Sequence, residues 1–318
     1  MSAGAVHPDL RRIAPFLPRS AVGPRRLPIL RRADARQRRR QRPGIDIIEV
    51  GPIGLRVHRP DGRLGCLPGL LWIHGGGYVM GTATQDDAVC QHLANEVGVV
   101  VAAVDYRLAP EHPFPIPLHD CYNALAWLAD QPEVDRDRIA IGGASAGGGL
   151  AAALALLARQ RGEIQPIFQL LSYPMLDDRT VARPDRDDHH VRLWNHRSNR
   201  FGWTAYLDQA PGGPGVDHLA AAARCTDLVG LPPAWIGVGT LDLFLDEDLA
   251  YAAALRAAGV PCEVETVEGA FHGFDSVRPG ATITETFRAS QARALRSSLG
   301  CAGPDGLASR SGGGQGEA

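Results

Sequence analysis

The chain has 318 residues, 45% apolar and 21% charged, which suits one large α/β domain or two small ones and excludes wholesale disorder. All 33 basic residues are arginine, and the absence of lysine excludes Schiff-base catalysis, a pyridoxal-phosphate anchor, a P-loop and a kinase-type phosphate lysine. The net charge of −2 conceals an asymmetry: residues 1–43 hold 12 Arg against Asp9 and Asp34, a balance of +10, while the rest holds 21 Arg against 33 acids, a balance of −12.

In the arm, Arg11-Arg12 is followed by Pro18, Pro24 and more arginines, where a twin-arginine signal needs an apolar stretch. No apolar run approaches the length of a membrane span, and a cytoplasmic location is expected. Ile45–Val50 and residues 54–58 read as two short strands joined by Gly51-Pro52. Leu67–Ile73 is an apolar run that stops at His74-Gly75-Gly76-Gly77. Residues 86–97 read as helix and lead into 99–104, an unbroken apolar strand of the kind buried on both faces of a parallel sheet. Helix is expected over 118–129, strand over 138–142, an alanine- and leucine-rich helix over 146–159, and strand over 167–172, ended by Pro174.

From about 177 to 220 the rhythm breaks. Charges, histidines and glycines interleave with Trp194, Phe201, Trp203 and Tyr206, which predicts an insertion between sheet elements. The alternation resumes with a strand over 234–238, a helix over 245–258, a strand over Cys262–Val267 and a helix over 283–298. This order predicts a doubly wound α/β sheet. The expected organisation is an arm (1–43), a catalytic domain (44–300) carrying the insertion, and a Gly/Ser-rich disordered tail (301–318). The six cysteines are widely spaced with no C-x-x-C pair, so free thiols are expected. Asp185-Arg186-Asp187-Asp188-His189-His190 resembles a metal site in composition, but adjacent histidines do not face one ion easily from a helix. A solvated loop, and no metal, is the expectation.

The chemistry concentrates in three places. Gly143-Ala144-Ser145-Ala146-Gly147 lies between a strand and a helix, the context in which a G-x-S-x-G match means a nucleophile elbow. Its small residues permit a sharp turn that presents Ser145 at the positive end of a helix. The glycines after His74 allow backbone N–H groups to approach an oxyanion without a Cβ in the way, and His74 is expected to shape that loop. Among His189, His190, His196, His218 and His272, only His272 follows a predicted strand in a short turn at the same end of the sheet as Ser145. After the 234–238 strand, Asp242 is the first acid. Asp246, Glu247 and Asp248 begin a helix, where carboxylates serve as caps, and Asp246 stands as the alternative orienting acid.

These segments, with Asp105-Tyr106-Arg107-Leu108-Ala109-Pro110-Glu111-His112-Pro113, Asp242-Leu243-Phe244-Leu245-Asp246 and Phe271-His272-Gly273-Phe274, occur in family order over residues 45–299. The chain resembles the bacterial hormone-sensitive-lipase family (family IV) of α/β-hydrolase esterases. The resemblance implies a mostly parallel twisted sheet with helices on both faces and a helical cap. It implies Ser145 as nucleophile, His272 as base, Asp242 as its orienter, and an oxyanion hole from the N–H groups of Gly76, Gly77 and Ala146. It implies a small-molecule ester substrate of short to medium chain and no cofactor; related esterases often form homodimers, and the sequence leaves the oligomeric state open. The arm and the insertion would form the cap, so no nucleic-acid partner is expected for the arginines. Trp194, Phe201, Trp203 and Tyr206 would line the substrate pocket or form the core of the cap. Asp105, Arg107 and Glu111 are expected to pair in a polar network. Two departures stand out: Ala144 replaces a frequent Asp, and Leu243-Phe244 replaces the middle of a D-P-L-x-D pattern. An amidase or peptidase on the same triad, or a non-catalytic receptor of the same fold, remains the alternative.

Overall fold

Trp72 and Leu70 pack into one apolar cluster, and Leu71 and Ile73 into another. This period of two is what a strand covered on both faces requires. The computed structural model describes residues 6–20, 22–38, 40–63, 65–183 and 190–301. Its strands are β1 (Ile45–Val50), β2 (Ile53–His58), β3 (Leu67–Ile73), β4 (Val100–Asp105), β5 (Val134–Ala144), β6 (Phe168–Ser172), β7 (Ala234–Gly239) and β8 (Cys262–Val267). They form one sheet in the order β1-β2-β4-β3-β5-β6-β7-β8. β2 runs antiparallel to β1 and β4, and all later neighbours are parallel.

The helices are α1 (Leu27–Arg38), α2 (Asp87–Leu93), α3 (Ile116–Ala129), α4 (Ala146–Arg161), α5 (His196–Leu207), α6 (Leu245–Ala257), α7 (Phe274–Val277) and α8 (Thr282–Ser298). α3, α4 and α6 share one apolar cluster with Trp194, Trp203 and Tyr206 of the segment between β6 and β7, while α2 and α8 contribute to the other. α4 is buried along residues 146–158, which is why small residues and leucines fill it without an amphipathic stripe. The sheet and its flanking helices make an α/β-hydrolase architecture, with the ends of β3, β5, β7 and β8 opening on one edge.

Three elements differ from the sequence pattern. β5 begins at Val134, before the apolar run, because its first turns carry half-buried or exposed Asp135, Arg136 and Asp137. α1 lies in the arginine-rich arm, and α5 lies in the insertion. The arm crosses both clusters, with Leu10 and Ala14 in one and Val22 and Leu27 in the other. It is fastened to the insertion by Leu193 N–H donating to Pro18 O at 2.8 Å, Arg192 Nε to Ala14 O at 2.7 Å, and a Ser20–Ser198 hydroxyl contact of 2.9 Å. Its charge meets the body's acids: Arg38 is 3.4 Å from Asp105, and Arg42 is 3.3 Å from Asp87. Among the described residues no helix is long and apolar enough to cross a membrane.

The insertion closes on itself and on α6. Buried Asp178 near its start accepts from Gly212 N–H at 2.6 Å and pairs with Arg224 near its end. Glu247 accepts from Leu176 N–H at 2.8 Å and Asp177 N–H at 3.2 Å and bonds the Thr180 hydroxyl. Burial, reinforced by Asp177, raises its carboxyl from the ordinary 4.5 to about 8, against the lowering effect of those donors. The folded state therefore keeps a proton that the unfolded chain has released, and this group withdraws stability as pH rises from about 4.5 to about 8. Glu247→Gln retains an acceptor for the two N–H groups without the ionisation. The variant should gain stability relative to wild type between pH 5 and 8, each unit of raised pKa corresponding to about 1.4 kcal/mol. Urea denaturation of both proteins at the two pH values checks this, and a pH-independent difference contradicts it.

Candidate active site

β5 passes directly into α4 through Ser145, whose backbone sits at φ 58°, ψ −121°. A side chain-bearing residue in the left-handed region costs on the order of 1–3 kcal/mol and persists only where its surroundings over-determine it. Here they do. Ser145 N–H donates to Ser172 O at 2.9 Å, and Ser145 O accepts from Gly149 N–H at 3.0 Å and Met175 N–H at 2.9 Å. The turn is tight enough that a Cβ on Gly147 would lie 2.0 Å from Ile73 O. The hydroxyl thus projects beside the end of β3, at the start of a 16-residue helix whose dipole is positive there.

His272 lies in the turn between β8 and α7. Its Nε2 is 2.9 Å from Ser145 Oγ, and its Nδ1 is 2.8 Å from Asp242 Oδ2. Asp242 follows β7 and uses its other oxygen to accept from Phe244 N–H at 3.0 Å. A carboxylate can only accept, so Nδ1 carries the proton and Nε2 is left to take the serine hydroxyl's hydrogen. The three residues are 6%, 7% and 2% exposed for Ser145, His272 and Asp242. Phe244 and Tyr173 stand edge-on to the imidazole at 5.2 and 4.9 Å. Neither aromatic was singled out for this contact in the sequence, although Phe244 is one of the two departures from the family pattern. Asp246, the alternative acid, starts α6 as expected of a helix-opening carboxylate.

The glycine loop runs against the elbow: a Cβ on Gly75 would be 3.3 Å from Ser145 Cβ. Gly76, Gly77 and Tyr78 take φ of 127°, 61° and 66° in succession. Among the described residues, the N–H groups of Gly76, Gly77 and Ala146 donate to no protein acceptor. His74 Nδ1 donates to Gly75 O at 2.7 Å, and its ring stacks on Tyr106 with centroids 4.3 Å apart. Burial lowers the pKa of His74, so a neutral ring shapes the loop.

The cap's aromatics divide. Trp194 presses on the loop so closely that a Cβ on Gly77 would lie 1.9 Å from its ring, and its centroid is 6.5 Å from that of His272. Its Nε1–H donates to Asn199 Oδ1 at 3.3 Å, and Gly202, with no side chain, lets α5 settle against Gly77 O. Gly202 had no distinguishing sequence context. Trp203 and Tyr206 pack on Tyr78, at 5.3 and 4.0 Å between centroids, below the loop. Phe201 is half-buried and lines a surface cavity of about 450 Å³ with Pro24, Val181 and Arg200. A cavity of about 890 Å³ lies between α1, the β1–β2 hairpin and residues 105–112, and is lined by neither Ser145 nor His272.

The expected network of Asp105, Arg107 and Glu111 does not form. Asp105 accepts from Ala83 N–H and lies by Arg38, Arg107 makes a bidentate pair with Asp120, and Glu111 pairs with Arg31. Asp105 ends β4 and the other two follow in the loop after it, but the three point to partners on different elements, which spacing along the chain does not show. Among the described residues no group of three or more His, Cys, Asp or Glu is gathered for a metal, and residues 185–189 of the acidic-histidine stretch lie outside them, as does the tail from 302.

A mostly parallel eight-stranded sheet with a serine elbow at one strand end defines the α/β-hydrolase class, and the α/β-hydrolase family profile matches residues 70–276. Esterase LipI of Mycobacterium tuberculosis is 36% identical over 251 residues, covering 73% of this chain and 75% of LipI. Ethyl acetate hydrolase of Pseudomonas putida is 35% identical over 242 residues, covering 73% of each chain. The solved structure of a bacterial heroin esterase superposes with a TM-score of 0.84 at 37% identity, covering 93% of this chain and 98% of that one. The chain belongs to the hormone-sensitive-lipase-like family of α/β hydrolases.

The contact between Gly147 and Ile73 O yields a direct test of the elbow. Gly147→Ala should lower unfolding free energy by about 1–3 kcal/mol through overpacking. A urea midpoint equal to that of wild type would show that the elbow is looser than described.

Proposed function

We propose that this carboxylic ester hydrolase is a serine carboxylesterase of short- to medium-chain esters, with Ser145 as nucleophile, His272 as general base and acid, and Asp242 as its orienter. The observation that carries the reading is the hydrogen-bonded row from Asp242 through His272 to Ser145. His272 takes the hydroxyl proton as Ser145 Oγ attacks the ester carbonyl. The negative charge that develops on the carbonyl oxygen falls where Gly76, Gly77 and Ala146 can offer N–H groups. Collapse of the tetrahedral intermediate expels the alcohol, which receives the proton from His272, and leaves an acyl-enzyme. Water, deprotonated by the same imidazole, then releases the acid. Asp242 holds the Nδ1–H tautomer and stabilises the imidazolium formed in each half.

Trp194 supports the chain-length assignment. Its ring fills the space beside Gly77 and its indole is held by Asn199, so in this reading it limits the length of the acyl or alcohol group the site accepts. In this reading Trp194 is a wall of the substrate site, while Trp203 and Tyr206 support the loop from within the cap. The six free cysteines fit a cytoplasmic location.

Hydrolysis of p-nitrophenyl esters of increasing acyl length tests catalysis and pocket depth together. Ser145→Ala should lower kcat by about 10⁴–10⁶-fold with the fold intact. kcat/KM should fall from butyrate to laurate, and Trp194→Ala should move the optimum to longer chains. Turnover that survives in Ser145→Ala would remove the assignment, and matched amides run in the same assay separate esterase from amidase action.

A further inference from the structure

Two side chains of α1 reach the stretch that closes the glycine loop. Arg31 donates through Nε to Val79 O at 2.8 Å and through Nη2 to Ala109 O, while Nη1 meets the Glu111 carboxylate at 2.6 Å. Asp34 accepts from Gly81 N–H at 2.8 Å. The two residues are three apart and share one face of the helix. Both act on the backbone of residues 79–81, immediately after Gly76 and Gly77.

That backbone closes the loop. Val79 and Met80 N–H donate to Gly76 O at 3.2 and 3.1 Å, and Ala109 N–H donates to Tyr78 O at 3.0 Å. Arg31 holds the carbonyls of Val79 and Ala109 together, fastening that junction from outside. Gly81 lies against the other end of the loop, since a Cβ there would be 2.4 Å from Gly75 O. The loop needs such support, because three successive positive φ values include a tyrosine, a conformation that relaxes when its restraints are removed.

Beyond Leu27, buried in its first turn, and half-buried Leu30, which packs on the core cluster, the grip of α1 is polar, and a cavity of about 890 Å³ lies between the helix, the β1–β2 hairpin and residues 105–112. Charge-assisted hydrogen bonds to backbone are among the stronger neutral-surface attachments available to such a helix.

We propose that Arg31 and Asp34 are positioning residues for the oxyanion hole: the arm helix clamps residues 79–81 so that the N–H groups of Gly76 and Gly77 stay aimed at the developing oxyanion. The proposal rests on the oxyanion reading of those two glycines. A misplacement of about 1 Å in a catalytic group can cost about 10²-fold in rate. Arg31→Ala should therefore lower kcat by about 10- to 100-fold, with KM within about twofold of wild type. Asp34→Ala should lower kcat in the same manner, and Asp34→Asn, which keeps an acceptor for Gly81 N–H, should restore most of it. Arg36→Ala, an exposed arginine on the same helix, serves as the control for a general effect of altering α1.

The decisive readout is the ratio of inhibition constants for a methyl ketone and its trifluoromethyl analogue, because Ser145 Oγ adds to the activated carbonyl of the latter, its proton passing to His272, and the hemiketal oxyanion then lies in the hole. In Arg31→Ala and Asp34→Ala this preference should shrink in proportion to kcat, and in Asp34→Asn and Arg36→Ala it should be kept. An unchanged kcat and ketone preference in both alanine variants, or a raised KM at constant kcat, would overturn the clamp. Wild type that fails to prefer the trifluoromethyl ketone would instead overturn the oxyanion reading itself, and the clamp with it. If Arg31→Ala does not fold, the Asp34 pair decides alone.

Discussion

Everything in the site depends on the left-handed turn at Ser145. A strand that ended in an ordinary loop would leave the serine as a helix cap, its hydroxyl turned toward the N–H groups of its own first turn. At φ 58° the side chain is directed away, and no cap hydrogen bond forms. The cost of that conformation is met by three backbone hydrogen bonds, from Ser145 to Ser172, Gly149 and Met175. Those bonds also join β6 and the root of the insertion to Ser145. Small residues follow as a steric necessity, since Gly147 lies directly on the last carbonyl of β3. The same contact brings the glycine loop, which continues from β3, alongside the serine.

Burial then gives the arrangement its electrostatic force. With the serine, histidine and aspartate all below 10% exposed, water screens their interactions little. The imidazole has aromatic edges on two sides and a carboxylate behind it, so its rotation is restricted and its tautomer is set. The segment between β6 and β7 adds to this: α5 rests on Gly77 O through Gly202, Trp194 of the preceding loop lies against Gly77, and the arm holds the segment through residues 14–22. Arm, glycine loop and insertion therefore form one packed unit over the strand ends, even though about 30 residues separate the first two in the chain and about 100 the last two.

The fold was largely legible because the sheet announces itself in apolar runs and glycine breaks. β3 and β8 have the bounds expected from Leu67–Ile73 and Cys262–Val267. The sharp turn at Ser145 and the position of His272 at the same end of the sheet were legible because each follows a strand in a turn that contains small residues. What was missed has a common physical reason. α1 has a sequence of Leu-Pro-Ile-Leu followed by arginines, with too small a buried stripe to show periodicity, and α5 hides among charges and histidines. The division of Trp194 from Trp203 and Tyr206 depends on which face of α5 and its preceding loop meets the glycine loop. The separate partners of Asp105, Arg107 and Glu111 depend on elements brought near only by folding. Long-range pairings of single charged residues leave no local pattern to read.

The account's central claim is that Ser145 is the residue that becomes covalently acylated. Rapid acid quenching during turnover of a p-nitrophenyl ester, followed by peptide mass spectrometry, tests it most directly. The acyl group should appear on the peptide containing Ser145 and be absent in Ser145→Ala. An acyl group on another residue, or sustained turnover with no acylated serine trapped under burst conditions, would contradict it.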